Sequence, residues 1–353
     1  MSARQGDDGG PVDGAVATRS GVRQESLRTH NLQLVFELIA SAAEPLSRAE
    51  VAQLAHMTRS TASALVDQLV AGGFLAECEV ARSGRAGRPA IPVRPAAGTW
   101  AGLGLEVGVD YLAVRGIDLS GDVLAESCHH VDVAARGPES VLTELATLAT
   151  TVWEELNRQG ARTVGVAVGL PGLVDRPLGP LRVAPNLGWR GVDVVGLLRD
   201  RLALPVLALD NEATFATRAE TGVGPGGVSH RSFVYVSGGI GIGAGIVMDG
   251  QPLRGSHGWA GEIGHTAIEP DGPVCRCGAR GCLEVFAGRG AIVEAAGLGP
   301  GLGVGPLLTA YQSGSQAATT ALRRAGRALG VALADVVNLL DLQEIVLGGE
   351  FTP

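Results

Sequence analysis

One stretch of the sequence concentrates side chains that bind metal ions. Residues 261–284 read GEIGHTAIEPDGPVCRCGARGCLE, and they contain His265, Cys275, Cys277 and Cys282, so the stretch holds three of the five cysteines of the chain. One imidazole nitrogen and three thiolates form a common tetrahedral shell for Zn²⁺, with no coordination position left open for a substrate. We therefore predict a structural Zn²⁺ site at these four residues.

The alternative to a metal site is a chance cluster of buried or disulfide-bonded cysteines. Cys275 and Cys277 are separated by one residue and are poorly placed to bridge each other. The odd number of cysteines also argues against the disulfide framework of a secreted protein. Gly278 and Gly281 suit the tight turns that would bring the four side chains onto one ion.

The composition favours a cytoplasmic protein of two or three domains. Of the 353 residues, 46% are hydrophobic but only 4% are aromatic, and 53 are glycine, so we expect aliphatic strands and many tight turns. No apolar run reaches the roughly 18 residues of a membrane-spanning helix, so no membrane partner is expected. The polar amino terminus lacks the apolar core of a secretion signal. Thiolate metal ligands fit a reducing compartment.

The formal net charge of −8 is unevenly distributed along the chain. Residues 1–95 hold equal numbers of arginine and acidic residues, so the acidic excess lies in residues 96–353. The sequence contains no lysine, and the segment from Arg82 to Arg94 contains arginines but no acidic residue. A local basic patch on a neutral domain is suited to the phosphates of nucleic acid.

Residues 25–95 have the pattern of a winged helix-turn-helix domain, preceded by a predicted disordered tail at residues 1–24. Apolar residues recur at helical spacing in three stretches. The second begins with the capping box Ser47–Glu50, and the third has Thr58 as its N-cap. Short strands are predicted at residues 74–77 and 90–93, around an Arg/Gly-rich tip. Three helices and a two-stranded wing make up this fold.

In a winged helix-turn-helix, the start of the third helix enters the major groove, and the wing reaches phosphates or the minor groove. We therefore predict a double-stranded DNA operator as a partner. The predicted contacts are Arg48, Arg59, Ser60, Thr61, Ser63, Arg82, Arg85 and Arg88. The alternative is a three-helix packing module whose arginine-rich loop is only a solvated turn.

Residues 96–353 predict two α/β lobes, at residues 96–215 and 216–353. Three β-rich segments, a helix, a buried strand, a helix, a further strand and a helix follow one another in the first lobe. A second series of strands begins near residue 233 and includes the cysteine-rich stretch. This order is typical of the actin/hexokinase-like, ribonuclease-H-like fold. The cleft between two such lobes is the expected place for a small ligand.

The cysteine-rich stretch also carries a family resemblance. Gly-Glu-Ile-Gly-His, followed by Cys-x-Cys-Gly-x-x-Gly-Cys-Leu-Glu, resembles the motif of the ROK family, which groups sugar-responsive repressors with sugar kinases. The resemblance extends from about Glu25 to the end of the chain. Family members usually continue beyond GGEFTP, so we expect a truncated or engineered carboxyl terminus.

The resemblance implies a sugar site in the cleft. It places Asn211, Glu212, Glu262, His265 and Glu284 against sugar hydroxyls, and Asn186 in the loop APNLGWRG is a further candidate. Carboxylates and amides suit this role because they bond adjacent hydroxyls in pairs. His265 can serve both sites, with one ring nitrogen on the metal and the other toward the sugar. The alternative is that these polar groups only cap the ends of secondary-structure elements.

The resemblance also implies where kinase relatives would bind phosphate, and this chain departs from their motif. The family's Asp-x-Gly-Gly-Thr turn reads Glu-Val-Gly-Val-Asp at residues 106–110, and its Gly-Thr-Gly loop reads Gly-Ile-Gly at residues 239–241. The catalytic Asp position holds Glu212, which is able to act as a base. The two phosphate loops and this position together predict that the chain does not catalyse phosphoryl transfer.

We therefore predict a sugar-responsive transcriptional repressor that binds a palindromic operator as a homodimer or a dimer of dimers. A sugar or a sugar phosphate in the cleft would alter lobe closure and the spacing of the two DNA-binding units. One alternative is a DNA-tethered sugar kinase with degenerate phosphate loops. Another is a regulator that responds to a partner protein and keeps a vestigial pocket.

Overall fold

The computed structural model of the chain describes residues 24–79, 91–175, 178–221, 231–299 and 303–352. The predicted wing-tip contacts Arg82, Arg85 and Arg88 lie outside the described residues, and so do residues 1–23 of the predicted tail. Within the described ranges, no helix combines the length and the apolar character that crossing a membrane requires.

The amino-terminal unit has the arrangement that the sequence predicts. Its helices are α1 (Gln24–Ala40), α2 (Arg48–Leu54) and α3 (Arg59–Ala71). Its strands are β1 (Leu46–Ser47), β2 (Leu75–Glu77) and β3 (Pro92–Pro95), which pair in the order β1-β3-β2. The two-residue strand β1 was not predicted because it is too short to carry a periodic signal. The apolar stripes meet in one core, formed by Val35, Ile39, Val51, Ala52, Ala62, Leu65, Val66, Leu69, Leu75 and Val93.

Side-chain caps start α2 and α3 at the predicted residues. The Ser47 hydroxyl accepts a hydrogen bond from Glu50 N at 3.3 Å, and the Glu50 carboxylate accepts one from Ser47 N at 2.7 Å. The Thr58 hydroxyl accepts from Thr61 N at 3.2 Å. These bonds satisfy amide groups that a helix start leaves without partners, so the position of the turn is determined locally.

The segment between the amino-terminal unit and the first lobe, residues 95–99, is anchored to both of them. Thr99 Oγ1 donates to Gly73 O at 2.7 Å, and Trp100 Nε1 donates to Gly72 O at 2.8 Å. The Trp100 ring stacks on Phe74, with centroids 5.3 Å apart and an interplanar angle of 9°. On the side of the first lobe, the Arg162 guanidinium lies 5.4 Å from the Trp100 ring centroid. The end of α3 is therefore joined firmly to the first lobe.

The first lobe contains a twisted sheet covered by one long helix. In its described part the strands run in the order β11-β7-β4-β5-β6, with β4, β5 and β6 antiparallel and β7 and β11 parallel to β4. The bounds are β4 (Trp100–Val107), β5 (Tyr111–Asp118), β6 (Val123–His130), α4 (Pro138–Arg158), β7 (Arg162–Leu170) and β11 (Val206–Asn211). Helix α4 buries a continuous apolar face on this sheet, including Leu142, Leu145, Val152 and Leu156.

A small sheet that the sequence analysis did not predict lies between β7 and β11 along the chain. Its strands are β8 (Leu173–Val174), β9 (Leu181–Ala184) and β10 (Trp189–Val192), and α5 (Val194–Arg199) follows them. Strands of two to four residues are too short for alternation to show, so only the tertiary structure defines them.

The second lobe repeats the beginning of the first. Its described strands pair in the order β14-β13-β12-β15, with β12, β13 and β14 antiparallel and β15 parallel to β12. The strand bounds are β12 (Phe233–Gly238), β13 (Ile242–Met248), β14 (Gln251–Pro252) and β15 (Glu344–Gly349). The helices are α7 (Glu284–Ala287), α8 (Arg289–Ala295), α9 (Val304–Gln312) and α10 (Gln316–Leu340). Both lobes thus have ribonuclease-H-like strand order, which confirms the predicted fold class.

Two details differ from the sequence-based expectation. Helix α9 begins at Val304, within the glycine-rich stretch GLGPGLGVGP, whose composition favours a loop. The predicted lobe boundary between residues 215 and 216 falls inside the continuous helix α6 (Glu212–Glu220). This helix packs closely on β13, since a Cβ atom at Gly243 would lie 2.8 Å from the Ala213 Cβ and one at Gly245 would overlap Thr217. Helix α6 therefore belongs to the junction of the lobes.

Candidate functional site

The candidate site is a cleft of about 740 Å³ between the two lobes. From the first lobe it is lined by the ends of β4 and β11, the turn at residues 108–110 and the loop after β7. From the second lobe it is lined by the β12–β13 turn at residues 239–241 and by residues around the cysteine-rich stretch. A concave site of this size accepts a ligand as large as a sugar.

The predicted metal ligands form a compact cluster beside this cleft. One ligand atom from each of His265, Cys275, Cys277 and Cys282 lies within 4.8 Å of the others. Cys275 Sγ is 3.7 Å from His265 Nδ1, and Cys277 Sγ is 3.7 Å from Cys282 Sγ. Burial, reinforced by the neighbouring thiols, raises the pKa of Cys282 to about 12. A bound cation would lower the pKa of these thiols by stabilising their thiolates, so the donor set fits a metal ion.

Glycines allow the tight backbone path of the cluster. Gly278 and Gly281 have φ angles of +97° and +66°, in the left-handed region that side-chain-bearing residues rarely adopt. A Cβ atom at Gly281 would overlap the carbonyl group of Glu269. The chain therefore approaches itself closely at Gly281, as the sequence analysis expected for a turn that gathers the ligands.

His265 connects the cluster to the cleft. It ends a short 3-10 turn, Ile263–His265, which begins directly after Glu262. Its Nδ1 atom faces Cys275, whereas its Nε2 atom lies 3.9 Å from Glu262 Oε2. Burial raises the pKa of the Glu262 carboxyl. One ring nitrogen is thus available to a metal while the other faces a carboxylate that lines the cleft.

Glu212 is the most shielded carboxylate of the cleft. It opens α6, and its Oε2 atom is buried and has no hydrogen-bond partner among the described residues. Burial, followed by the charges of Glu106, Glu262 and Glu284, raises the pKa of Glu212 to about 7. A carboxyl with this pKa is able to donate or accept a proton near neutral pH, and its free oxygen is available to a ligand hydroxyl.

Three other predicted residues are held by hydrogen bonds at the cleft wall. Glu284 Oε2 accepts from Ile242 N at 3.2 Å, and Asn186 Nδ2 lies 3.5 Å from Glu284 Oε1. Asn211 caps α6 by accepting a hydrogen bond from Ala213 N at 2.8 Å. Its Nδ2 atom donates to Gly172 O at 3.2 Å. Asn211 therefore has the capping role of the alternative interpretation and also lines the cleft.

The structure brings all the predicted sugar-contacting residues to one site, although they span about a hundred positions of sequence. The residues that line the cleft include Asn186, Asn211, Glu212, Glu262, His265 and Glu284. Their contact with a sugar stays a prediction, and their convergence is the geometric condition that it requires.

Tyr111 lies directly after the turn at residues 108–110, which resembles the first phosphate loop. Its role was not predicted from the sequence. Its hydroxyl donates to Glu106 Oε1. Its ring lies so close to Gly108 that a Cβ atom there would overlap it. Burial and the Glu106 carboxylate raise the pKa of Tyr111, so the phenol stays protonated. The turn is filled by a side chain of its own hairpin.

Arg289, also missed from the sequence, joins the lobes across the cleft. Its Nη2 atom lies 2.5 Å from Asp110 Oδ2 in the first lobe, and its Nη1 atom lies 2.7 Å from Glu350 Oε1 in the second. Asp110 and Arg289 are 179 positions apart. No local pattern in the sequence reports such a contact, because it depends on how the lobes close.

The predicted DNA-contacting residues that are described lie at the start of α2 and α3. Arg59, Ser60 and Thr61 are exposed, and Ser63 is half-buried. Arg48 is engaged within the unit, with its Nη2 atom 2.6 Å from Asp67 Oδ1 and 2.8 Å from Glu77 Oε1. Its DNA contact stays a prediction, and the ion pairs show that it also links α2 to α3 and the sheet.

Comparison with family models identifies two regions of the chain. Residues 102–353 match the model of the ROK family. Residues 34–77 match the model of the IclR helix-turn-helix domain. The first region covers the two lobes, and the second covers most of the helices of the amino-terminal unit.

Similar proteins include both repressors and kinases. The xylose repressor of Caldicellulosiruptor bescii is 28% identical over 320 residues, which cover 86% of this chain and 79% of the repressor. The glucokinase of Streptomyces coelicolor is 31% identical over 270 residues, which cover 70% of this chain and 82% of the glucokinase. The solved structure of a ROK family transcriptional regulator, a homologue of the E. coli MLC protein, superposes with a TM-score of 0.71 at 27% identity, over 92% of this chain and 83% of that chain.

Proposed function

The chain belongs to the ROK family, and we propose that it is a sugar-responsive transcriptional repressor. The winged helix-turn-helix at residues 25–95 binds a palindromic operator as a homodimer or a dimer of dimers. A sugar or a sugar phosphate binds in the cleft between the lobes at residues 96–215 and 216–353, and it changes operator affinity. The protein acts on genomic DNA in the cytoplasm.

The observation that carries this proposal is the presence of a DNA-reading unit and a polar interlobe cleft in one chain. The match to a xylose repressor covers 86% of the chain, whereas the match to a glucokinase covers 70%, close to the share of the lobes alone. The cleft gathers carboxylate, amide and imidazole groups, which are the partners that sugar hydroxyls need.

The geometry of the phosphate-loop positions supports a sensor in preference to a kinase. Phosphoryl transfer requires backbone amides and a cation around the phosphates. In this chain the ring of Tyr111 covers Gly108, and Arg289 is already paired with Asp110. On the other side of the cleft, the Glu284 carboxylate accepts a hydrogen bond from Ile242 N, so this amide is already paired. A DNA-tethered sugar kinase is the second candidate, favoured by the glucokinase relative. Sugar-dependent conversion of ATP to ADP by the purified protein, with formation of the sugar phosphate, would identify it.

We further propose that the metal is Zn²⁺, held by His265, Cys275, Cys277 and Cys282. Three thiols and an imidazole are the donors that Zn²⁺ prefers, and four protein ligands suit a structural site. The ion would supply no chemistry to the sugar. It would fix the loop from which Glu262 and Glu284 reach the cleft, because both flank the cluster in sequence.

The anchored junction offers a path from the cleft to the DNA. Trp100 is the first residue of β4, whose other end lines the cleft, and it stacks on Phe74 just beyond α3. A change in lobe closure would thus reorient α3 without a flexible linker in between. Such coupling requires that the sugar bind the two arrangements with different affinity.

The test is a selection of genomic fragments by the purified full-length protein, followed by sequencing and by operator titration with a sugar panel. We expect enrichment of a palindrome near sugar uptake or catabolic genes and a shift in operator affinity with one sugar. Absence of any enriched sequence from zinc-loaded, folded protein would contradict the repressor function.

A further inference from the structure

Trp259 presents a buried hydrogen-bond donor that no described residue satisfies. Among the described residues, three buried side-chain polar atoms have no partner, and they are Thr163 Oγ1, Glu212 Oε2 and Trp259 Nε1. Buried polar groups in native proteins nearly always find a partner, so each exception asks for an explanation. Glu212 and Trp259 are both at the ligand cleft or directly beside it.

The indole lines a small recess beside the cleft, and the two share lining residues. The recess has a volume of about 10 Å³, which is close to the space for one water molecule or one hydroxyl group. It shares Asn211 and Glu262 with the main cleft, and its lining also includes Asp210 and Trp259. A hydroxyl group of a ligand bound in the cleft would thus find both a donor and an acceptor in the recess.

The position of the indole is defined by its loop. The His257 ring packs against the Trp259 ring with centroids 4.9 Å apart. Gly258 and Gly261 have φ angles of +90° and +103°, and a Cβ atom at Gly261 would overlap the Ala244 carbonyl of β13. The loop is therefore seated against the sheet of the second lobe, and a donor on such a support is well suited to selecting among ligands.

We infer that this recess receives one hydroxyl group of the sugar, with Trp259 Nε1 donating a hydrogen bond to its oxygen and the Glu262 carboxylate accepting a hydrogen bond from it. This inference rests on the proposed sugar site and adds Trp259 as a specificity-determining residue. Because the recess has room for about one hydroxyl group, with one donor and one acceptor in its lining, it would distinguish sugars that differ at a single carbon. Sites built to hydrogen-bond a hydroxyl reject the analogue that lacks it.

The experiment is calorimetry with the full-length protein and D-xylose, D-glucose or N-acetyl-D-glucosamine, followed by monodeoxy analogues of the sugar that binds. Trp259→Phe keeps the aromatic ring and removes only the N–H group. We expect it to weaken binding of the intact sugar about tenfold or more, and to leave unchanged the affinity for one particular deoxy analogue. Trp189→Phe is the matched control, because Trp189 Nε1 donates to Arg136 O at 3.3 Å, outside the cleft.

The outcomes separate this inference from the function on which it rests. Equal affinity and equal selectivity of wild type and Trp259→Phe would mean that the indole binds only water, which overturns the inference and leaves the sugar site intact. Failure of the wild-type protein to bind any sugar, with operator binding retained, would overturn the sugar site and the inference together. Unchanged operator affinity of Trp259→Phe without sugar would show that the variant is folded.

Discussion

The two lobes carry the same hairpin at the mouth of the cleft but complete it differently. In the first lobe, the β4–β5 turn at residues 108–110 is covered by the Tyr111 ring, which is held by Glu106. In the second, the β12–β13 turn at residues 239–241 keeps its glycines, and the Glu284 carboxylate accepts from the amide of Ile242 beside it. An aromatic ring thus covers the turn of the first lobe, whereas a carboxylate binds the amide beside the turn of the second lobe.

The two turns differ from the hydroxyl-facing side of the cleft in what their side chains do. Both turns hold side chains where a phosphate would require free amide groups. The side that we propose to bind sugar hydroxyls carries the polar groups of Glu212, Glu262 and His265. Arg289 then ties the turn of the first lobe to the second lobe through Asp110. We interpret the cleft as a ligand site whose phosphate end has become a contact between lobes.

The largest effect is expected from breaking the cysteine cluster, which only the second lobe possesses. Cys277→Ser should remove the bound metal, lower stability by about 3 kcal/mol or more and abolish the sugar response, because the ion organises the loop. Metal content and thermal unfolding measure this. Cys128→Ser, at an exposed cysteine of β6 in the first lobe, is the control. A full sugar response without bound zinc would refute the role of the cluster.

The second effect concerns the buried carboxylate at the junction of the lobes. The pKa of Glu212 in the folded protein, about 7, lies above the 4.5 of an exposed glutamate, so the folded state binds the proton more tightly than the unfolded state. Wild-type stability should therefore fall as pH rises from 4.5 to 7. Glu212→Gln lacks this titration and should be more stable than wild type at pH 8 by up to about 3 kcal/mol, but not at low pH.

Urea unfolding at both pH values measures the difference between Glu212→Gln and wild type. Glu154→Gln, at an exposed position of α4, is the matched control. A stability difference that does not change with pH would show that Glu212 has no raised pKa in the folded protein.

Removing the bridge between the lobes should have a smaller effect. Arg289→Gln leaves Asp110 and Glu350 without their shared cation, which should cost about 1 to 2 kcal/mol because the bridge is partly exposed. Hydrogen exchange should accelerate at residues 108–110 if the bridge holds the lobes together. Unchanged exchange there would contradict this. Arg323→Gln, exposed on α10, controls for the loss of charge.

The smallest effect is expected within the first hairpin. Tyr111→Phe retains the ring over Gly108 and removes only the hydrogen bond to Glu106, so stability should fall by about 1 kcal/mol. We expect no phosphoryl transfer from ATP to sugar by wild type or by this variant, since the turn stays covered. Gain of sugar phosphate formation in the variant alone would mean that the hydroxyl, not the ring, blocks the turn.

Features that depend on residues close together in the chain could be predicted from the sequence alone. Caps at Ser47 and Thr58 start α2 and α3 as predicted, and the apolar periodicity of α4 defines Pro138–Arg158 in full. The metal cluster could also be predicted, because its ligands lie within eighteen positions and its glycines permit the turns. These features share one physical basis, since helix caps, helical periodicity and tight turns are formed by short-range contacts.

The chemical properties of the cleft could not be predicted from the sequence and became visible only in the tertiary structure. The raised pKa of Glu212, the Arg289–Asp110 bridge and the hydroxyl-sized recess at Trp259 all arise where the two lobes meet. Sequence motifs placed residues such as Glu262 at the site, but they carried no information on burial or on contacts between distant segments. Those properties depend on how the lobes close, because desolvation and charge interactions are set by every group that surrounds a side chain.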